Sequence, residues 1–125
     1  MHKLEDLECY VRARAFRKRV SETCKLLPKE EQFRLRDQLL RSSRSVAANI
    51  AEGYGRHHHQ ENLQFCRQAR GSLTETIEHL NCALDERFVD DALYTLLREE
   101  SDTLLKILNG YISYLRKAAA AAKSR

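Results

Sequence analysis

The residues most able to do chemistry stand close together in "RSSRSVAANIAEGYGRHHHQE", Arg41–Glu61, where arginines, two nearby glycines and three consecutive histidines share one short span. Adjacent histidines cannot all face one metal from a helix, where ligands must recur at i, i+3 or i+4. His57 and Glu61 have that spacing and His2 falls at the same end, a set too small to outweigh a solvated polar loop. No metal is expected. Read as a phosphate cradle, "GYG" lacks a preceding strand, a GK[ST] and an adjoining helix N-terminus. Gly53 is better placed as a left-handed helix C-cap, with Gly55 extending the turn. Nor do Cys9, Cys24 and Cys66 make a nucleophile, base and orienter set, because each falls on an apolar helical stripe, where cysteine serves as a small hydrophobe. No catalytic residue and no cofactor are expected.

The remaining chemistry is ionic. Residues 12–44 hold eleven Lys/Arg against four Asp/Glu, while residues 85–102 hold two against seven. Such segregation steers a polyanion toward the basic flank, with Arg14, Arg17 and Lys18 on one face of the first helix. A charged face that is merely solvated is the simpler alternative.

The elements that position these residues are helices. The chain has 125 residues, one proline, four glycines and 32% charged residues, which leaves little material for the turns of an all-β fold. Four cysteines without a CxxC pair, no secretory h-region and no long apolar run point to a reduced, cytoplasmic protein with no membrane segment. Cys9, Ala13, Phe16, Val20, Cys24 and Leu27 mark a first helix over 4–27, which Pro28 stops. A second helix over about 29–53 carries Leu39, Ser43, Val46 and Ile50. A third begins near Gln60 with Cys66, Ala69, Leu73, Ile77, Leu80 and Leu84. A fourth begins near Asp90 with Leu93, Leu97, Leu104, Leu108, Tyr111 and Leu115. The fold class is all-α. Similar lengths and short connections make an antiparallel up-down-up-down four-helix bundle over 1–117 the economical arrangement, with an Ala-rich extension over 118–125 that continues the last helix. In that arrangement both termini and the turn between the second and third helices share one end, gathering Arg56, Lys117, Lys123 and Arg125 with the histidines.

A second stripe on the second helix, Arg34, Gln38, Arg41, Ser45, Asn49 and Glu52, is polar. Short residues such as Ser45 and Asn49 compete for backbone hydrogen bonds and are poor choices for a solvated helix interior. A polar contact between subunits is the preferred reading. Gly71 lies inside the third helix, opposite its apolar stripe, where close approach of another chain would explain a residue costing up to about 1 kcal/mol relative to alanine.

"LEDLECY", "LPKEEQFRLRDQLLRSSRSVAANIAEGYGR" and "ARGSLTETIEHL" resemble successive blocks of the intervening-sequence protein family, also labelled S23 ribosomal proteins, whose genes lie within 23S rRNA genes of some bacteria. The resemblance extends over roughly residues 4–117. That family resembles in turn the accessory subunits of diversity-generating retroelements, pentameric barrels with basic surfaces that engage nucleic acid and a reverse transcriptase. The resemblance therefore implies a non-enzymatic homopentamer that binds RNA or DNA. It also shows a departure: the loop after Arg56, usually basic, is histidine-rich here, so its positive charge is not permanent. The alternative is an adaptor that recruits a protein partner through its polar helix faces.

Overall fold

In the computed structural model, which describes residues 2–124, four helices follow one another: α1 (Glu8–Cys24), α2 (Leu35–Gly55), α3 (His59–Asp85) and α4 (Asp91–Lys123). Short 3-10 turns at Leu4–Asp6 and Lys29–Glu31 precede α1 and α2. No strand occurs among the described residues. No helix among them is long and apolar enough to cross a membrane.

Two of the helix starts follow side-chain chemistry. Asp90 Oδ1 accepts from Leu93 N at 2.8 Å and opens α4, and His58 Nδ1 accepts from Glu61 N at 3.3 Å to open α3. The second helix starts later than its expected position at residue 29, after a backbone break at Arg34 with φ −119° and ψ −106°. Extrapolated backwards, the buried stripe Leu35, Leu39, Val46 and Ile50 meets Pro28, Glu31 and Gln32. Those residues have little apolar surface to bury, and burial is what makes a short helix stable.

The Gly53 C-cap is overturned. α2 runs through both glycines to Gly55, and no described glycine has positive φ; that conformation falls on His57, at 52°. Gly53 is buried against α3, where a Cβ would lie 2.6 Å from Asn62 Oδ1 and 2.9 Å from Phe65 Cβ. Its missing side chain lets two helices approach, which is a packing role and not a turning one.

Every helix buries one stripe. Cys9, Ala13, Phe16, Val20 and Cys24 of α1 meet Leu39, Val46 and Ile50 of α2, Cys66, Ala69, Leu73 and Leu80 of α3, and Leu97, Leu104, Leu108, Ile112 and Leu115 of α4 in one core. α2 and α3 share the most extensive seam and α1 and α4 the least. Small residues explain the first: Thr76 Oγ1 donates to Ser42 Oγ at 2.8 Å and Ser72 Oγ to Ser45 Oγ at 3.0 Å, contacts that need close backbones. Across the α3/α4 seam, Asn62 Nδ2 donates to Tyr111 Oη at 2.9 Å, and Arg70 Nη1 to Asn109 Oδ1 at 2.9 Å. Tyr94 Oη donates to Asn81 Oδ1 at the other end of that seam. α4 continues through the alanine run, and Ala119 is buried.

Candidate nucleic-acid interface

Arg14, Arg17 and Lys18 recur at i, i+3 and i+4, so one face of α1 must present all three. The structure adds Arg44 from α2. Together with Ser21 and Glu22 these residues line an open groove of about 330 Å³. Among the described residues, Arg14, Arg17, Lys18 and Arg44 form no ion pair. Their neighbours do: Arg12 reaches Glu8 at 3.9 Å, Arg19 pairs with Glu100, and Lys25 reaches Glu22 at 3.1 Å. The α1/α2 flank therefore carries a cluster of cations without ion-pair partners among the described residues.

At the end of the bundle the charge of Arg56 is answered within the protomer. Arg56 is held by Glu52 at 3.3 Å and Glu61 at 3.8 Å, and its guanidinium lies 5.0 Å from the centre of the Phe65 ring. Lys123 joins His57, His58, His59, Gln60, Ala119 and Ala122 around a groove of about 420 Å³, and Lys117 is exposed on α4. Tyr54 Oη donates to the His2 carbonyl at 3.0 Å, bringing the start of the chain to the same end. Arg125 lies outside the described residues.

His57 precedes α3 in a left-handed conformation, so the helical spacing to Glu61 is not realised. It is His58 Nδ1 that approaches Glu61, 3.4 Å from Oε2. No group of three or more His, Cys, Asp or Glu side chains suited to a metal ion occurs among the described residues.

The polar stripe of α2 is partly consumed within the protomer. Asn49 Nδ2 donates to the Ser45 carbonyl at 2.9 Å and to Ser45 Oγ at 3.0 Å, and Ser45 Oγ also accepts from Ser72. Part of the stripe thus faces α3. Gln38, Arg41 and Ser45 remain on a groove of about 550 Å³ completed by Ser42, Arg44, Ser72 and Glu75. Asp37 lies 4.0 Å from Arg41 at the edge of that surface. Gly71 is exposed, with nothing within 4 Å of where its Cβ would stand.

Arg44 was missed because its partners sit on another helix, although its place next to Arg41 on a basic stretch was a usable signal. Also missed was an aromatic cluster. Tyr111 and Tyr114 stack with centroids 6.1 Å apart and planes at 17°, and His59 meets Tyr114 edge-on at 6.3 Å and 73°. Only the i, i+3 spacing of the tyrosines was visible in the chain.

The thiols are quiet. Burial pushes Cys9 up to about 12 and Cys24 and Cys66 each to about 11, while Cys82 is exposed and raised by local burial and surrounding carboxylates. Only a thiolate attacks readily. Titration with a disulfide reagent at mildly alkaline pH is expected to modify Cys82 alone in the folded protein and all the thiols in denaturant. Because the three buried thiols release protons at higher pH when folded than when unfolded, stability is present below about pH 9 and falls as pH rises toward 11. Chemical denaturation across that range measures the slope; a stability constant or rising from pH 9 to 11 contradicts it.

A family model described as "23S rRNA-intervening sequence protein" matches residues 5–110. Among solved structures, a protein of unknown function from the S23 ribosomal protein family of Bacteroides thetaiotaomicron superposes with a TM-score of 0.77 at 22% identity, covering 83% of this chain and 97% of that one. At that identity the likeness speaks for the fold. No curated protein matches the chain.

Proposed function

The chain belongs to the 23S rRNA-intervening sequence protein family, and from that premise we propose that it is a non-enzymatic, oligomeric bundle that binds RNA or DNA through backbone phosphates. The observation that carries this reading is the groove in which Arg14, Arg17, Lys18 and Arg44 converge from two helices with no ion pair of their own among the described residues, while Glu22 at its edge is paired with Lys25. Unanswered guanidinium and ammonium groups release condensed counterions when they meet phosphates, which supplies affinity without reading sequence. The helices run up-down-up-down. That topology is supported by cross-seam pairs whose numbers rise on one helix as they fall on the next, Ser42 with Thr76 and Ser45 with Ser72.

The assembly is a homopentamer with Gln38, Arg41, Ser45, Asn49, Glu52 and Gly71 at or beside the subunit contact. The exposed groove along α2 and α3 and the open surface over Gly71 support it. Five copies around an axis repeat each modest patch, so a long polyanion gains avidity without new contacts. Light scattering on sized protein is expected to give about five times the 14.6 kDa protomer; a clean monomer at micromolar concentration removes the pentamer.

The binding reading is tested by titrating structured RNA and duplex DNA at increasing salt. Affinity is expected to fall steeply, with a log-log slope of about 0.9 per phosphate contact on B-form DNA. Absence of binding at low salt, with fold and assembly intact, overturns it in favour of a protein adaptor. The mixed-sign groove of Arg41, Arg44, Ser72 and Glu75 is the feature that favours an adaptor.

A further inference from the structure

The geometry points to Tyr114 as a stacking platform for an unpaired nucleobase, with Lys117 and the histidine groove taking the adjoining phosphates. It rests on the nucleic-acid reading above and names the form of nucleic acid that this end of the bundle accepts: single-stranded or looped segments.

Tyr114 is 58% exposed. It is nevertheless held in place. Tyr111 stacks on it with planes at 17°, and Tyr111 is itself fixed by the 2.9 Å hydrogen bond from buried Asn62. His59 closes against it edge-on from the start of α3. A ring ordered before binding loses little freedom when a base settles on it.

The surroundings leave room on the outer side. Helical side chains lean toward the N-terminus, so Tyr114 lies toward the turn that contains Gly110, four residues earlier. Gly110 is exposed, with nothing within 4 Å of a would-be Cβ. Lys117, three residues later, leans back toward Tyr114 by the same rule. Through His59 the platform adjoins the groove of His57, His58 and Lys123. Among the described residues neither Lys117 nor Lys123 forms an ion pair. An aromatic face beside cations suits a strand whose bases are unstacked, whereas a duplex keeps its base faces occupied.

Phe33 provides the contrast. It is 86% exposed at the turn between α1 and α2. Among the described residues no aromatic ring packs against Phe33, so it lacks the partners that hold Tyr114 in place.

The test uses the full chain with oligo(dT) and a matched blunt duplex, read by fluorescence anisotropy at low salt. Tyr114→Ala is expected to weaken oligo(dT) binding roughly five- to a hundredfold, the worth of one stacked base, with little change for the duplex. Tyr114→Phe should retain binding, and Phe33→Ala should bind like the parent. The chain has no tryptophan, so Tyr114→Trp places a single indole at the platform. Its emission should be quenched by oligo(dT) and not by the duplex. Parent-like oligo(dT) affinity in Tyr114→Ala, or an unquenched indole, overturns the platform while leaving phosphate binding on the flank intact. If the parent binds neither probe, the platform and the nucleic-acid reading fall together.

Discussion

Gly53→Ala is expected to destabilise the protein by about 1–3 kcal/mol, the usual cost of forcing an extra carbon into a packed site. At an ordinary helical position the same change would stabilise by up to about 1 kcal/mol, because alanine is the better helix former. The sign reverses because the new Cβ would meet Asn62 Oδ1 at 2.6 Å and Phe65 Cβ at 2.9 Å, and neither is the free end of a flexible chain. Asn62 is engaged on both sides, donating to Tyr111 Oη and accepting from Cys66 Sγ at 3.4 Å. Moving it away from Gly53 would break a buried network or part α2 from α3. Gly71→Ala is the matched comparison, with open space at its Cβ, and should raise stability in the isolated protomer. Thermal melts of the pair measure the opposition, at roughly 3–6 °C per kcal/mol for a chain of this size. A stabilised Gly53→Ala protein would contradict the close approach. If Gly71→Ala instead loses stability together with assembly mass, Gly71 lies in the subunit contact.

Reversing Arg14, Arg17 and Lys18 to Glu should remove most nucleic-acid affinity while leaving the fold intact, since Arg14 and Lys18 are exposed, Arg17 is half-buried at the groove, and none forms an ion pair among the described residues. Losing three phosphate contacts lowers the salt slope on B-form DNA by about 2.7, at about 0.9 each, and weakens binding across sequences alike. Arg44→Glu should act in the same direction. Arg56→Ala is expected to do little, because Glu52 and Glu61 already answer that charge. As a control from the acidic segment, Arg87 in the α3–α4 turn is preferable to Arg98. Arg98 Nη1 donates to Tyr94 Oη at 3.0 Å and Nη2 lies 3.7 Å from Asp102, so its loss would disturb the fold. Arg87 has φ 63°, and Arg87→Asn keeps a residue that tolerates it. A slope unchanged by the triple reversal would move the polyanion elsewhere on the surface.

The periodic residues made most of the fold legible. Phe16, Val46, Ile50, Leu73, Leu80, Leu104 and Leu108 were placed on inward stripes by spacing alone, and all are buried. Arg14, Arg17 and Lys18 were assigned to one face by the same rule, and they line one groove. Element ends were harder to place. The expected first helix over 4–27 is shorter, Glu8–Cys24, ending before Pro28 is reached, and α2 begins only at Leu35, because helix bounds depend on which residues find a surface to bury against.

The chain by itself determined the helical class, the inward stripes and the segregation of charge, since each follows from residue types at fixed helical spacing. Tertiary structure alone decided which partners those residues meet: Gly53 against Asn62, Ser45 against Ser72, Arg56 against Glu61 across the α2–α3 turn, and His59 at the edge of Tyr114. Helical periodicity orders neighbours within about a turn, whereas these contacts join residues on different helices or across a turn. Their geometry is set by how closely two backbones approach, and a side chain's charge or role is free or spent according to what that approach puts beside it.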